Sequence, residues 1–181
     1  MKISPQTAWP YAVIPLIVLI DQLTKWLILA EPSLNALACL NDPANVNTCG
    51  RIVLPGPVDL TMLWNRGMSY GLLQSEGAMR WVLSAGMFVI ASGFLYWLTK
   101  ADGRWMKLSL ALVVGGAIGN LIDRVRYGAV VDFIDVNELT FGWFPWIFNV
   151  ADSAITVGAV LLFVDQFLLS RQKQANSLKQ G

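Results

Sequence analysis

Carboxylates and amides recur at a few places in a chain otherwise made for lipid: Asn120 and Asp123 in "GNLIDR", Asp132 in "VVDF", and Asn149 and Asp152 in "FNVADSAITVG". Asp21 and Lys25 in "DQLTK" add a pair four residues apart on one helical face. Two carboxylates facing one another in a low-dielectric site cannot both ionise readily, so one keeps a proton while the other is charged. The charged member can activate a water and the protonated member can polarise a carbonyl, the acid–base chemistry of an aspartic protease. No His, metal or cofactor is needed. The same ingredients would serve a small proton-coupled transporter or channel subunit. Composition and periodicity leave these two readings open, and spacing leaves Asp123 and Asp132 as rival partners for Asp152.

The surroundings of these residues are a membrane protein's. Of 181 residues, 55% are hydrophobic and 14% charged, which moves the chain out of the soluble class. Histidine is absent, which removes triads that use His and nearly all zinc or haem sites. The net charge of +1 comes with no basic run, so nothing points to nucleic acid. The two cysteines, Cys39 and Cys49, suit a short disulfide loop in an oxidising compartment or two inert thiols equally well.

A hydrocarbon core about 30 Å thick needs about 20 mostly apolar helical residues to cross it. Four segments qualify, at about 9–30, 81–99, 108–124 and 146–169. The first is expected to be a retained anchor, since its apolar core is long and interrupted by Asp21 and Lys25. The basic residues Lys2, Lys100, Arg104, Lys107, Arg171, Lys173 and Lys179 fall on one side, which places both termini in the cytosol. Segments 31–80 and 125–145 then face outward. Within the first, "PVDLTMLWNRG" alternates Val58, Leu60, Met62 and Trp64 with Asp59, Thr61 and Leu63, a strand pattern that fits a short sheet on the membrane surface. "FGWFPWIF" belongs at the interface. The polar tail after Ser170 is expected to be mobile. The fold expected is one mainly α membrane domain, four transmembrane helices with a small extracytoplasmic β-sheet cradle.

Following each span by direction brings the polar residues to one depth. Asp21 and Lys25 lie in the outer half of the first span, Asn120, Asp123 and Arg124 at the outer end of the third, and Asn149 and Asp152 in the first two turns of the fourth. Asp132 follows the third span closely enough to return to that level. An ionisable residue at mid-membrane costs about 2.5–3.5 kcal/mol on insertion scales, so such groups must pair or face a wet cavity. A plainer reading makes Asp21 with Lys25, and Asp123 with Arg124 or Arg126, ion pairs that lock helices. It does not cover Asp132 and Asp152, which have no basic neighbour in sequence. The "GGAIG" set, Gly115, Gly116 and Gly119, reads as a helix-packing face.

The motifs "DQLTK", "NRGMSYGLL", "GNLIDRVRYGAVVDFIDV" and "FNVADSAITVG", in this order and spacing, resemble the bacterial lipoprotein signal peptidases, signal peptidase II, over nearly the whole chain. The resemblance implies an intramembrane aspartic endopeptidase of the cell inner membrane. It cuts prolipoproteins just before a cysteine that carries diacylglycerol. It implies Asp132 and Asp152 as the catalytic pair, and Asp21, Lys25, Asn65, Arg66, Asn120, Asp123, Arg124 and Asn149 as residues that bind substrate or orient the pair. It implies no metal or other cofactor. The expected partners are diacylglyceryl-prolipoproteins and membrane lipids, with the enzyme a monomer. The segment 31–57, which holds both cysteines, is longer than in the commonest members.

Overall fold

The computed structural model describes residues 5–40, 48–67 and 78–178. Residues 68–73 of the "NRGMSYGLL" motif, and Lys2 and Lys179, lie outside them. Helix α1 (Pro5–Ala30) is followed by a 3-10 turn (Pro32–Leu34), the short α2 (Ala36–Leu40), strands β1 (Thr48–Ile52) and β2 (Asp59–Asn65), and helices α3 (Ala78–Lys100) and α4 (Arg104–Tyr127). Strands β3 (Val130–Asp135) and β4 (Ile147–Phe148) then lead into α5 (Val150–Leu178). Among the described residues four helical stretches are long and apolar enough to cross a bilayer: Trp9–Ala30, Arg80–Lys100, Arg104–Tyr127 and Val150–Leu168.

Helix α4 is the hub: most of its apolar stretch is buried, whereas the other three spans are largely exposed. Small residues make this possible, because lipid tails are as apolar as leucine and helices in a bilayer associate through close packing. A Cβ on Gly115 would sit 3.0 Å from Ile17 Cβ of α1, and one on Gly119 would sit 2.5 Å from Asp21 Oδ2. On Gly116 it would overlap the Ala151 carbonyl oxygen of α5. The glycine face thus works as its spacing suggests, towards two helices at once.

The strands form one antiparallel sheet in the order β1-β2-β3-β4. Met62 and Trp64 are buried with Val131 and Phe133 against Leu34 and Ile28, a core between the sheet and the end of α1. The period-2 pattern of β2 is broken by a bulge, since Leu60 and Leu63 face Ile134 and Asp132. The 3-10 turn and α2 are fastened to this sheet. The Cys39–Cys49 disulfide ties α2 to β1 with Cα atoms 5.6 Å apart, and Trp64 Nε1 donates to the Ala36 carbonyl at 2.8 Å.

Two helix bounds differ from those expected. The fourth helix starts at Val150, because Ile147 and Phe148 pair with Asp135 and Ile134 as β4 and only Asn149 begins the helical turn. It also runs on to Leu178, where the expected mobile tail is helical. Residues 171–178 contain neither Gly nor Pro and several good helix formers. Helix α4 is longer than its apolar core and ends at Gly128, whose φ of 78° suits glycine and whose N–H donates to the Arg124 carbonyl.

Candidate active site where helices meet sheet

Each polar side chain is delivered by a different local rule. Asn149 is the N-cap of α5: its Oδ1 accepts from the Asp152 N–H at 2.9 Å, and its own N–H donates to Asp152 Oδ2 at 3.1 Å. This reciprocal pair is a capping box with Asp as the returning acid, and it holds Asp152 against the helix start. Asp132 reaches the same place from the middle of β3, which follows the Gly128 turn. Asp21 comes from α1, where its Oδ1 accepts from the Ala151 N–H at 2.9 Å. A carboxylate therefore meets the positive end of α5, a favourable position.

Asn149 Nδ2 lies 2.6 Å from Asp132 Oδ1, 3.1 Å from Asn120 Oδ1 and 3.2 Å from the Val131 carbonyl. Asn120 Nδ2 donates to Asp152 Oδ1 at 2.7 Å, and Asn65 Nδ2 donates to Asp132 Oδ2 at 3.0 Å. The two carboxylates are thus held by amides from α4, β2 and the α5 cap, all neutral donors. Asp132 is 1% exposed, while Asp152 is half-buried. Burial first, and then the charge of Asp152, push Asp132 up to about 7, against the lowering pull of the Asn65 and Asn149 amides and of Lys25.

Behind the amides lies a separate ion cluster. Lys25 Nζ is 2.8 Å from Asp21 Oδ2 and 2.8 Å from Asp123 Oδ2, and donates to Asn120 Oδ1 at 3.0 Å. All three ionic side chains are almost fully buried. The expected Asp21–Lys25 pair forms, but the local pairing of Asp123 with Arg124 or Arg126 is replaced by Lys25 of α1. Close approach of α1 at Gly119 decides this, and Asp123 is further occupied by the Val131 N–H at 3.2 Å.

Arg66 Nη2 donates to the Leu40 carbonyl at 2.9 Å and braces the end of α2. Arg124 stands half-buried within electrostatic reach of Asp132, Asp152 and Asp123. Its Nε and Nη1 are buried without a hydrogen-bond partner among the described residues.

Gln22 was missed. Its Nε2 donates to Asp123 Oδ1 at 3.0 Å and to the Gly119 carbonyl at 3.2 Å, and so fastens α1 to α4. Its signal was an amide next to Asp21 inside an apolar span.

The family model described as "Signal peptidase (SPase) II" matches residues 13–168. The lipoprotein signal peptidase of Caulobacter vibrioides is 40% identical over 178 residues, 96% of this chain and 95% of that one. That of Burkholderia mallei is 40% identical over 154 residues, 83% of this chain and 82% of the relative. A solved structure described as a bacterial membrane enzyme is similar with a TM-score of 0.66 and 28% identity, covering 92% of each chain. The chain belongs to the signal peptidase II family, the aspartic-type intramembrane peptidases that remove signal peptides from prolipoproteins.

Proposed function

We propose that Asp132 and Asp152 are the catalytic pair, acting at the outer interface of the inner membrane on a prolipoprotein whose cysteine carries diacylglycerol. The observation that carries this is Asn149, which binds Asp132 with its side chain and Asp152 with its backbone. The two carboxylates are thereby locked to one another while Lys25 is occupied by Asp21 and Asp123. Near neutral pH the pair shares one proton. The charged carboxylate takes a proton from water, whose oxygen attacks the scissile carbonyl carbon as the protonated carboxylate donates to the carbonyl oxygen. The C–N bond of the resulting tetrahedral diol then breaks as the proton taken from water passes to the leaving nitrogen and one diol hydroxyl returns its proton to the other carboxylate. The unused buried donors of Arg124 suit a peptide carbonyl near this point.

The distribution of Lys and Arg supports cytosolic termini and an outward-facing sheet. The lipid anchor and the mature part of the substrate would then meet the pair from the outer leaflet. The sheet that carries Asp132 suits an extended peptide at its edge, and the enzyme acts as a monomer. A transporter would spread polar groups through the depth of several spans, whereas these cluster at one end. The test is cleavage of a diacylglyceryl-prolipoprotein by vesicle-inserted enzyme. Asp132→Asn and Asp152→Asn should each abolish it while the protein still inserts and unfolds cooperatively, and cleavage surviving in either would refute the assignment.

A further inference from the structure

Between α1 and β1 the 3-10 turn and α2 form a small brace on the face of the sheet that carries Met62 and Trp64. Leu34 is fully buried there, and a Cβ on Gly50 of β1 would stand 2.8 Å from Leu34 Cα, so turn and strand meet backbone to backbone. Cys49, the residue before Gly50, is joined to Cys39 of α2. Two hydrogen bonds then reach the brace from the end of β2. Trp64 Nε1 donates to the Ala36 carbonyl at 2.8 Å, and Arg66 Nη2 donates at 2.9 Å to the Leu40 carbonyl at the open end of α2. Trp64 and Arg66 are the two chain neighbours of Asn65. Side chains alternate between the faces of a strand, so a brace that grips both neighbours leaves Asn65 pointing the other way. There its Nδ2 donates to Asp132 Oδ2 at 3.0 Å, while its Oδ1 accepts from the Gly67 N–H at 3.1 Å.

Asn65 is the last residue of β2, paired with Val130 where the ladder stops, so sheet pairing holds it from one direction only. We propose that α2, fixed to β1 by the Cys39–Cys49 disulfide, is a positioning device that holds Asn65 on Asp132, with Trp64 as its main contact; the proposal rests on the Asp132–Asp152 reading. The brace cannot act on Asp132 by charge, because residues 32–40 hold no ionisable side chain apart from the bonded Cys39. The charged groups that face Asp132 are Asp152 of α5, Arg124 of α4 and Lys25 of α1, with Asp21 and Asp123 paired to Lys25 behind them. An effect of the brace on the titration of Asp132 therefore passes through the Asn65 amide. That amide pulls the Asp132 carboxyl downward, so its loss lets Asp132 keep its proton to higher pH.

The test uses vesicle-inserted enzyme, a diacylglyceryl-prolipoprotein peptide and a two-by-two cycle that combines Cys39→Ser/Cys49→Ser with Asn65→Ala. Without the disulfide, kcat should fall about tenfold with KM little changed. The alkaline limb of the kcat profile should move up by about half a pH unit or more. Asn65→Ala alone should show both changes, and removing the disulfide in that background should add nothing to either. Trp64→Phe, which keeps a ring and loses the N–H, should move the limb in the same direction. Reductant should reproduce the shift in the unaltered enzyme and leave the Cys39→Ser/Cys49→Ser profile where it is, a reading that does not depend on the variant folding. A lowered thermal midpoint with an unmoved limb, or losses that add to those of Asn65→Ala, would overturn the proposal. Failure of the catalytic assignment is read separately, as cleavage by Asp132→Asn or Asp152→Asn.

Discussion

The side-chain amide of Asn149 approaches Asp132 Oδ1 to 2.6 Å. The same residue caps α5 through its Oδ1, so the start of a helix and the orientation of a carboxylate on a neighbouring strand depend on one side chain. The two roles can be separated. Ser is about as good an N-cap as Asn but is too short to reach Asp132. Asn149→Ser should therefore reduce prolipoprotein cleavage about 100-fold, with only part of the loss of thermal stability seen in Asn149→Ala, which also forfeits about 1 kcal/mol of capping. Equal activity of Asn149→Ser and the unaltered enzyme would remove Asn149 from the proposed machinery.

The raised Asp132 has a stability consequence with a definite sign. Its carboxyl is pushed from the ordinary value of 3.8 up to about 7, so the folded protein holds this proton more tightly than the unfolded chain. The resulting contribution is fully present below about pH 4 and is lost as pH rises through about 7. Asp132→Asn, which never charges, should be more stable than the unaltered protein at pH 8, by up to about 4 kcal/mol. The difference should shrink towards pH 4. Thermal unfolding in detergent across this range checks it. In the proposed mechanism the activity of the unaltered enzyme also falls on the alkaline side, as Asp132 loses its proton, and on the acid side, as both carboxylates fill.

Lys25 neutralises Asp21 and Asp123 beside the carboxylate pair. Lys25→Met would leave Asp21 and Asp123 buried without their cation, which costs about 3–5 kcal/mol. It would also free Asn120 Oδ1, whose amide orients Asp152. Both folded yield and cleavage should fall. Lys25→Met combined with Asp123→Asn should recover much of the stability, as measured by thermal unfolding, because one unpaired charge is removed with the cation.

Close packing at α4 gives a contrast between glycines. Gly116→Ala would press a methyl on the Ala151 carbonyl and Ile155, displacing the turn that carries Asp152. It should lower stability by about 1–3 kcal/mol and reduce activity. Gly86→Ala, with nothing within 4 Å of the added Cβ, should be neutral or stabilising by up to about 1 kcal/mol. Parallel melting curves distinguish the two.

The disulfide closes a ten-residue separation between α2 and β1. Its removal in Cys39→Ser/Cys49→Ser should cost about 2–3 kcal/mol. A reductant should shift the unaltered protein's thermal midpoint towards that of the variant and leave the variant's unchanged. Trp64 and Arg66 also bond the Ala36 and Leu40 carbonyls of α2, and Ala36 is buried in the core beneath the sheet.

Local rules were legible in the chain. Apolar length set the four spans. Helical periodicity put Asp21 with Lys25 and Asn149 with Asp152, and the direction of each span gathered the polar groups at one depth. Small residues at Gly115, Gly116 and Gly119 marked the packing face. These features depend on residues within a turn or two of each other, and that information is linear. Asp123 and Asp132 could not be told apart in this way except by family motif, because what separates them is which other elements arrive. Close approach of α1 takes Asp123 into the Lys25 cluster, with Gln22 on its other oxygen. Antiparallel pairing sets β3 between β2 and β4, so that Asp132 meets Asn65 from one strand and the cap of α5 from the other side. Sheet register and helix contact are decided by the summed packing of residues far apart in the chain, and no local spacing encodes which oxygen faces which amide.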